Sequence, residues 1–235
     1  MADKEKDTYI GFEQGPIRPP SEAYSLLLRL TRNCPWNHCT FCRIYKGKKF
    51  SLRPVEDIIR DIDLVHTYIE RIAEIIKPGG FADQEVISTL YNSFDDQDRM
   101  AFNAALNWYA SGMKSIFLQD ANSLIMKPAD LIHVLQHLKK RFPDVERLTS
   151  YARSHTIVRI SDDNLRLMAE AGLNRIHIGM ESGSDIVLKN VKKGADKATH
   201  IKAGLKVKKA GMELSEYIMP GLGGIDYSVE HAMES

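Results

Sequence analysis

Apolar and polar positions alternate between two periods along this chain. Residues 24–31 (YSLLLRLT) form a short β-rich apolar run that ends directly before a polar, cysteine-bearing stretch, so they read as a strand delivering a loop. Helical periodicity takes over at 54–76. Ile58, Ile59, Ile62, Val65, Ile69, Ile72 and Ile75 fall on one stripe there, Pro54 suits the helix start, and Lys77-Pro-Gly-Gly stops it. The FDDQ stretch within 81–97 reads as loop, and 98–110 reads as a helix with Asp98 as N-cap.

From there the pattern is regular. Strands at 115–119, 147–151, 175–180 and 213–219 alternate with helices at 128–141, 162–171 and 197–210. Short strands alternating with helices predict right-handed βαβ units and a parallel sheet, that is, an α/β fold. Five strands are counted. The expected architecture is a partial TIM-type (βα)6 barrel truncated after its fifth strand, with part of the C-terminal region missing. Residues 1–23 read as an N-terminal extension and 24–235 as the core domain.

Composition narrows the class. The 235 residues are 43% hydrophobic and 27% charged, which is globular, and α/β barrels of roughly 200–250 residues form single domains. A net charge of +1 gives no support for nucleic-acid binding, and KGKK (46–49) and KVKK (206–209) read as solvated faces. No run approaches the ~18 apolar residues of a membrane span, and the charged N-terminus lacks an apolar signal core. The expected location is the cytoplasm.

All three cysteines of the chain fall in Cys34-Pro-Trp-Asn-His-Cys39-Thr-Phe-Cys42. An odd, crowded set suits a metal better than a disulfide framework. Three thiolates on a four-iron cube leave one iron open for a bound ligand. Two other readings remain open at this point. One is a zinc-stabilised binding domain using the cysteines and His38, although adjacent residues such as His38 and Cys39 seldom reach one ion. The other is a barrel enzyme of unrelated chemistry with reactive thiols.

The loop after a first strand, with an aromatic (Phe41) immediately before the third cysteine, resembles the radical S-adenosylmethionine (SAM) superfamily. The family pattern has three residues between its first two cysteines. Here there are four: Pro35, Trp36, Asn37 and His38. Loops absorb such an insertion at small entropic cost. Glu181-Ser182-Gly183-Ser184-Asp185 resembles the signature of the branch holding methylthiotransferases, Elongator-type enzymes and oxygen-independent coproporphyrinogen oxidases.

The resemblance implies a [4Fe–4S] cluster on Cys34, Cys39 and Cys42, with SAM completing it. It also implies reductive cleavage of SAM to methionine and a 5′-deoxyadenosyl radical that abstracts a substrate hydrogen. By the same resemblance, Asp120 or Asn122 would accept from the methionyl amine, and Glu181 and Ser182 would face the ribose or methionyl group. Lys193 would pair with the carboxylate, and the Met219-Pro220-Gly221 turn would line the adenine. Ser184 and Asp185 read as helix caps. Tyr151, Arg153 and His155 point to the same barrel mouth, with His155 alternatively capping the next helix, while His177 reads as a barrel-interior residue. The implied partners are an unidentified substrate and an electron donor such as flavodoxin or ferredoxin. With no further cysteine this segment is expected to hold no auxiliary cluster, which disfavours a methylthiotransferase that needs a second one.

Overall fold

The isoleucine stripe folds as helix α1 (Val55–Ile75), which buries Ile58, Ile62, Val65, Ile69 and Ile72 and leaves Ile59 and Ile75 partly exposed. It packs on strand β1 (Leu26–Arg29), shorter than the predicted 24–31 because the chain turns off to form β2 (Thr31–Arg32). β2 pairs antiparallel with β3 (Ser51–Leu52), so a two-residue ladder closes the base of the cysteine loop. The computed structural model describes residues 9–76 and 84–235; the predicted stop at Lys77-Pro-Gly-Gly lies outside them.

Two further helices follow. α2 (Gln84–Asn92) was not legible as a helix, although Ile87, Leu90 and Tyr91 pack at helical spacing against the core. α3 (Asp96–Ala110) starts two residues before the expected position. Its cap is Asp95, whose Oδ1 accepts the Asp98 N–H at 2.9 Å, and not Asp98 itself. The rest runs β4 (Ser115–Gln119), α4 (Pro128–Arg141), β5 (Arg147–Ala152), α5 (Ser154–Arg159), α6 (Asp162–Glu170), β6 (Arg175–Glu181), α7 (Asp185–Asn190), α8 (Lys197–Lys209), β7 (Glu213–Ile218) and α9 (Ser228–Glu234). Ser184 caps α7 as expected, its hydroxyl accepting from the Val187 N–H. The six-residue α5 is too short to show a helical period.

The five long strands form one sheet of order β1-β4-β5-β6-β7, with every neighbouring pair parallel. Each crossover steps the same way, with no reversal in strand order. That is the winding of a barrel segment and not of a doubly wound sheet. Among the described residues no helix is long and apolar enough to cross a membrane.

Alternate strand residues build two interiors. Leu26, Leu28, Ile116, Leu118, Ile176 and Ile178 meet the helices in the main core. Phe117, Tyr151, His177 and Tyr217 face the other way and stack as a ring cluster, with centroids 5.0–6.2 Å apart.

The segment ahead of β1, expected to be an extension, is built into this inner side. The Gln119 amide accepts the Gly15 N–H at 2.8 Å and donates to the Ile17 carbonyl at 2.7 Å. Lower down, Ser25 bonds Ser115 at 2.7 Å, and the fully buried Glu22 sits 3.4 Å from His177 Nε2. Burial pushes the Glu22 carboxyl up, but bonds from His177 and Ser25 and the Arg147 charge outweigh it and hold it below the usual range. His177 is thus an interior residue, 2% exposed and bonded to Glu22.

Candidate functional site

The cysteine loop leaves the β2–β3 ladder through Asn33, whose φ of 69° lies in the left-handed region that asparagine tolerates. Its N–H donates to Asp120 Oδ2 at 3.0 Å and its amide to the Lys49 carbonyl at 2.7 Å. Asn37, also left-handed at φ 52°, donates to the carbonyls of Tyr45 and Lys48 across the loop. Asp120 follows β4 and gathers the loop. It accepts from Arg29 Nη2 at 2.9 Å, from the Asn33 N–H and from the Tyr45 hydroxyl, with its own side chain wholly buried. The Tyr45 phenol is pushed up by burial and by the Asp120 bond, so it stays a donor.

This frame presents Cys34, Cys39 and Cys42 as half-exposed free thiols on one wall of a cavity of about 460 Å³ at the C-terminal ends of the strands. Ligand pockets of that size are ordinary. The facing wall carries Tyr151, Arg153, Glu181, Lys193 and Met219, and Phe41 sits among the cysteines. The structure therefore brings nine of the predicted site residues to one cavity. Four others do not line it. Asp120 is consumed in the loop frame. Asn122 pins the turn after β5, accepting the Arg153 N–H at 3.0 Å and donating to Thr156 at 2.9 Å. Ser182 is fully buried, 2.8 Å from His231 Nδ1, and accepts the Ser184 N–H at 3.0 Å. Gly221 takes φ +82° in the turn after β7, while its neighbours Met219 and Pro220 reach the cavity.

The cavity's charges are few and specific. Lys193 Nζ lies 3.0 Å from Glu181 Oε1. Glu181 has φ 70° at the register irregularity between β6 and β7, a bulge that turns its side chain. The pair lies over Gly179, where a Cβ would come within 2.4 Å of Oε1. Burial pushes the Cys39 thiol up; the Lys193 and Arg153 charges oppose it, and Cys34 and Cys42 add to it. A metal centre would displace that proton on binding.

Several lining residues were not legible in the sequence. Ile17 arrives from the segment ahead of β1, and Trp36 from the gap between the first two cysteines. His200 of α8 pairs through Nδ1 with Ser154 at 2.7 Å. Burial, then Lys193, lowers the His200 pKa to about 4, so it is neutral. His155 lies within α5 and lines the cavity, and the residue preceding that helix is Arg153, so His155 does not cap it.

The donor set fits an iron–sulfur cube. Soft thiolates are its ligands, and each holds its own iron, so the three sulfurs need not meet at one point. A single zinc needs such convergence, and among the described residues no three His, Cys, Asp or Glu side chains provide it. Glu181 beside Lys193 matches the ammonium and carboxylate of an amino-acid group.

Residues 92–235 match the family model of the radical SAM superfamily. The match starts beyond the cysteine loop, so the cysteines' assignment rests on the geometry above. A search of curated proteins finds no match. Among solved structures, methylornithine synthase (PylB) superposes with a TM-score of 0.50 at 13% identity, over 90% of this chain and 49% of that one. The cobalamin-dependent S-adenosylmethionine radical enzyme OxsB gives 0.49 at 20% identity, over 80% of this chain and 23% of that one. Elp3 of the archaeon Methanocaldococcus infernus gives 0.41 at 17%, over 53% and 34%. The chain thus spans less than half of the length of each of these proteins, and the PylB superposition supports the fold.

Proposed function

The chain belongs to the radical SAM superfamily, and from that premise we propose that it is a catalytic core holding a [4Fe–4S] cluster on Cys34, Cys39 and Cys42 with SAM beside it. The observation that carries this is the meeting of three free thiols and the Glu181–Lys193 pair on one cavity at the barrel mouth. When bound, a reduced cluster and SAM supply one-electron cleavage of the sulfonium and so hydrogen-atom abstraction.

The chain's own residues do the rest. Glu181 and Lys193 orient the amino-acid end of the ligand. Phe41, Met219 and Pro220 keep water from the reacting side. Tyr151 and Tyr217 face the inner barrel beyond, where a substrate would lie. Burial and the neighbouring Tyr217 raise the Tyr151 phenol's pKa, so it offers a proton to hydrogen-bond and not a negative charge. The electron arrives from a small donor of the flavodoxin or ferredoxin type in a reducing cytoplasm.

The test is anaerobic reconstitution, counting iron and sulfide per chain, then adding dithionite and SAM. About four irons with methionine and 5′-deoxyadenosine released is the expected result. One tight zinc and no cleavage would overturn the reading.

A further inference from the structure

From 23 to 55 the chain carries seven basic residues and no aspartate or glutamate, although the whole sequence is balanced at 32 basic to 31 acidic. Three of the seven turn inward: Arg29, Arg32 and Arg53 pair with Asp120, Glu13 and Asp61. The other four, Arg43, Lys46, Lys48 and Lys49, are exposed. Among the described residues no carboxylate lies within ion-pair distance of any of them.

Backbone contacts carry this charge across the cysteine loop. The Thr40 N–H donates to the Val191 carbonyl at 3.0 Å, and Trp36 Nε1 to the Lys192 carbonyl at 2.7 Å. The loop is thereby latched to the 191–194 turn. There Lys192, whose N–H bonds the Lys189 carbonyl, and Lys189 itself are exposed and likewise have no carboxylate partner among the described residues. On the other flank the Asn37 amide holds the Tyr45 and Lys48 carbonyls, and the Asn33 amide holds the Lys49 carbonyl at 2.7 Å. Six cations thus flank the loop that bears Cys34, Cys39 and Cys42, and none of them lines the cavity.

Like charges gathered in one place repel, and a partner of opposite charge relieves that repulsion. An apolar contact accompanies them: Ile44, two residues after Cys42, is 44% exposed. An apolar contact with a charged rim is the anatomy of an interface, and redox encounters are among the smallest. Tyr45 and Trp36 are taken up by the fold, the first buried and the second 4.9 Å under the Arg153 guanidinium, so neither offers a platform for stacking an RNA base.

We infer that this cationic flank of the cysteine loop docks a small acidic protein that carries one electron. The inference rests on the radical SAM reading above and gives the donor its site. Electron transfer weakens steeply with distance, and Arg43 and Ile44 directly follow Cys42 in the chain. In the complex the carrier gives one electron to the cluster held by the cysteines. The carrier is oxidised, the cluster is reduced, and no bond or proton changes hands. Because the patch lies outside the cavity, the carrier and SAM bind together.

The test is an equilibrium titration of the reconstituted, iron-counted protein with an oxidised acidic flavodoxin and an oxidised acidic ferredoxin. It is run at about 0.05 and about 0.2 M salt, either side of the concentration that gives a screening length of about 10 Å. Wild-type protein should bind at least one carrier, more weakly at the higher salt and equally with and without SAM. K48E/K49E should weaken that binding about 10-fold at low salt and flatten its salt dependence. K140E/K208E makes the same change in net charge in the last turns of α4 and α8, at the opposite end of the barrel, and should stay within about twofold. Formation of 5′-deoxyadenosine by K48E/K49E should fall when reduced carrier supplies the electron and match wild type with dithionite. Equal loss of binding in both double variants would overturn the site, as would wild-type protein that binds neither carrier. Binding of bulk transfer RNA that K48E/K49E abolishes, with carrier binding unaffected, would make the patch an RNA surface and also overturn it. Wild-type protein that makes no 5′-deoxyadenosine with dithionite would instead bring down the SAM reading, whatever the titration shows.

Discussion

Asp120 separates a frame residue from a ligand-binding one, and Asp120→Asn tests which it is. The carboxylate is wholly buried and accepts from Arg29 Nη2 at 2.9 Å, from the Asn33 N–H at 3.0 Å and from the Tyr45 hydroxyl. Asparagine keeps the volume but removes the charge and turns one acceptor into a donor facing other donors. Breaking a buried ion pair from one side costs about 3–5 kcal/mol. Arg29 keeps a second carboxylate, Glu13 at 3.3 Å, which places the cost at the lower end, about 3 kcal/mol. Against a typical stability of about 5–15 kcal/mol the variant still folds. For a chain of this size the loss corresponds to a melting point lower by about 6–12 °C. Thermal melts under anaerobic conditions read the stability, and iron per chain reads the loop, since Asn33 and Tyr45 flank the thiols. A variant that melts within about 2 °C of wild type would refute the hub. A variant with normal stability and iron but lost SAM affinity would return Asp120 to the ligand, as the sequence first implied.

Three further outcomes follow from the same geometry. Cys39→Ala should lose both cluster and SAM cleavage while melting near the metal-free wild type, and retained cleavage would contradict the assignment. Gly179→Ala sets a Cβ 2.4 Å from Glu181 Oε1 and 3.1 Å from Lys193 Nζ. Those are the ends of flexible side chains, so affinity for SAM should fall severalfold with little change in melting point; an unchanged affinity in titration would remove the pair from the site. His200 has its pKa lowered from 6.5 to about 4, so the unfolded chain binds its proton more readily and stability falls as pH drops through this window. Its share is roughly 2 kcal/mol between pH 7 and pH 5. His200→Gln should flatten denaturant-measured stability over that range, and an unaltered slope would show that the histidine charges freely in the fold.

The strand–helix alternation was legible because apolar residues recur in short runs or at alternate positions in the strands and at helical spacing in the long helices. Pro128–Arg141 is bounded in the fold as the sequence reads. What failed was short or distant. α5 has six residues, too few for a period, and the cap at Asp95 was misread as Asp98 because both are aspartates near one helix start. In the site, cysteine spacing and the residues at strand ends pointed to the cavity. Which polar side chain faces it was not legible. Asp120 and Asn122 sit at the mouth of β4 like ligands, yet their partners, Arg29, Asn33, Tyr45 and Thr156, come from segments whose proximity only the fold creates. Ile17 was hidden for the same reason: the segment ahead of β1 has no periodic signal, and Gln119 draws it into the barrel.

The unusual cysteine spacing then has a local physical account. A four-residue gap must hide the extra residue without moving the thiols off one wall. Asn37 does so by entering the left-handed region, where a reversal takes little chain, and its amide ties the reversal to Tyr45 and Lys48. That turn projects Trp36 outward onto Gly194, where its Nε1 finds the Lys192 carbonyl. In this chain the four-residue gap carries both the turn at Asn37 and the latch at Trp36. Spacing and latch are therefore one device: the insertion costs little because the side chain it presents is bonded, stacked and set beneath Arg153 at the cavity wall.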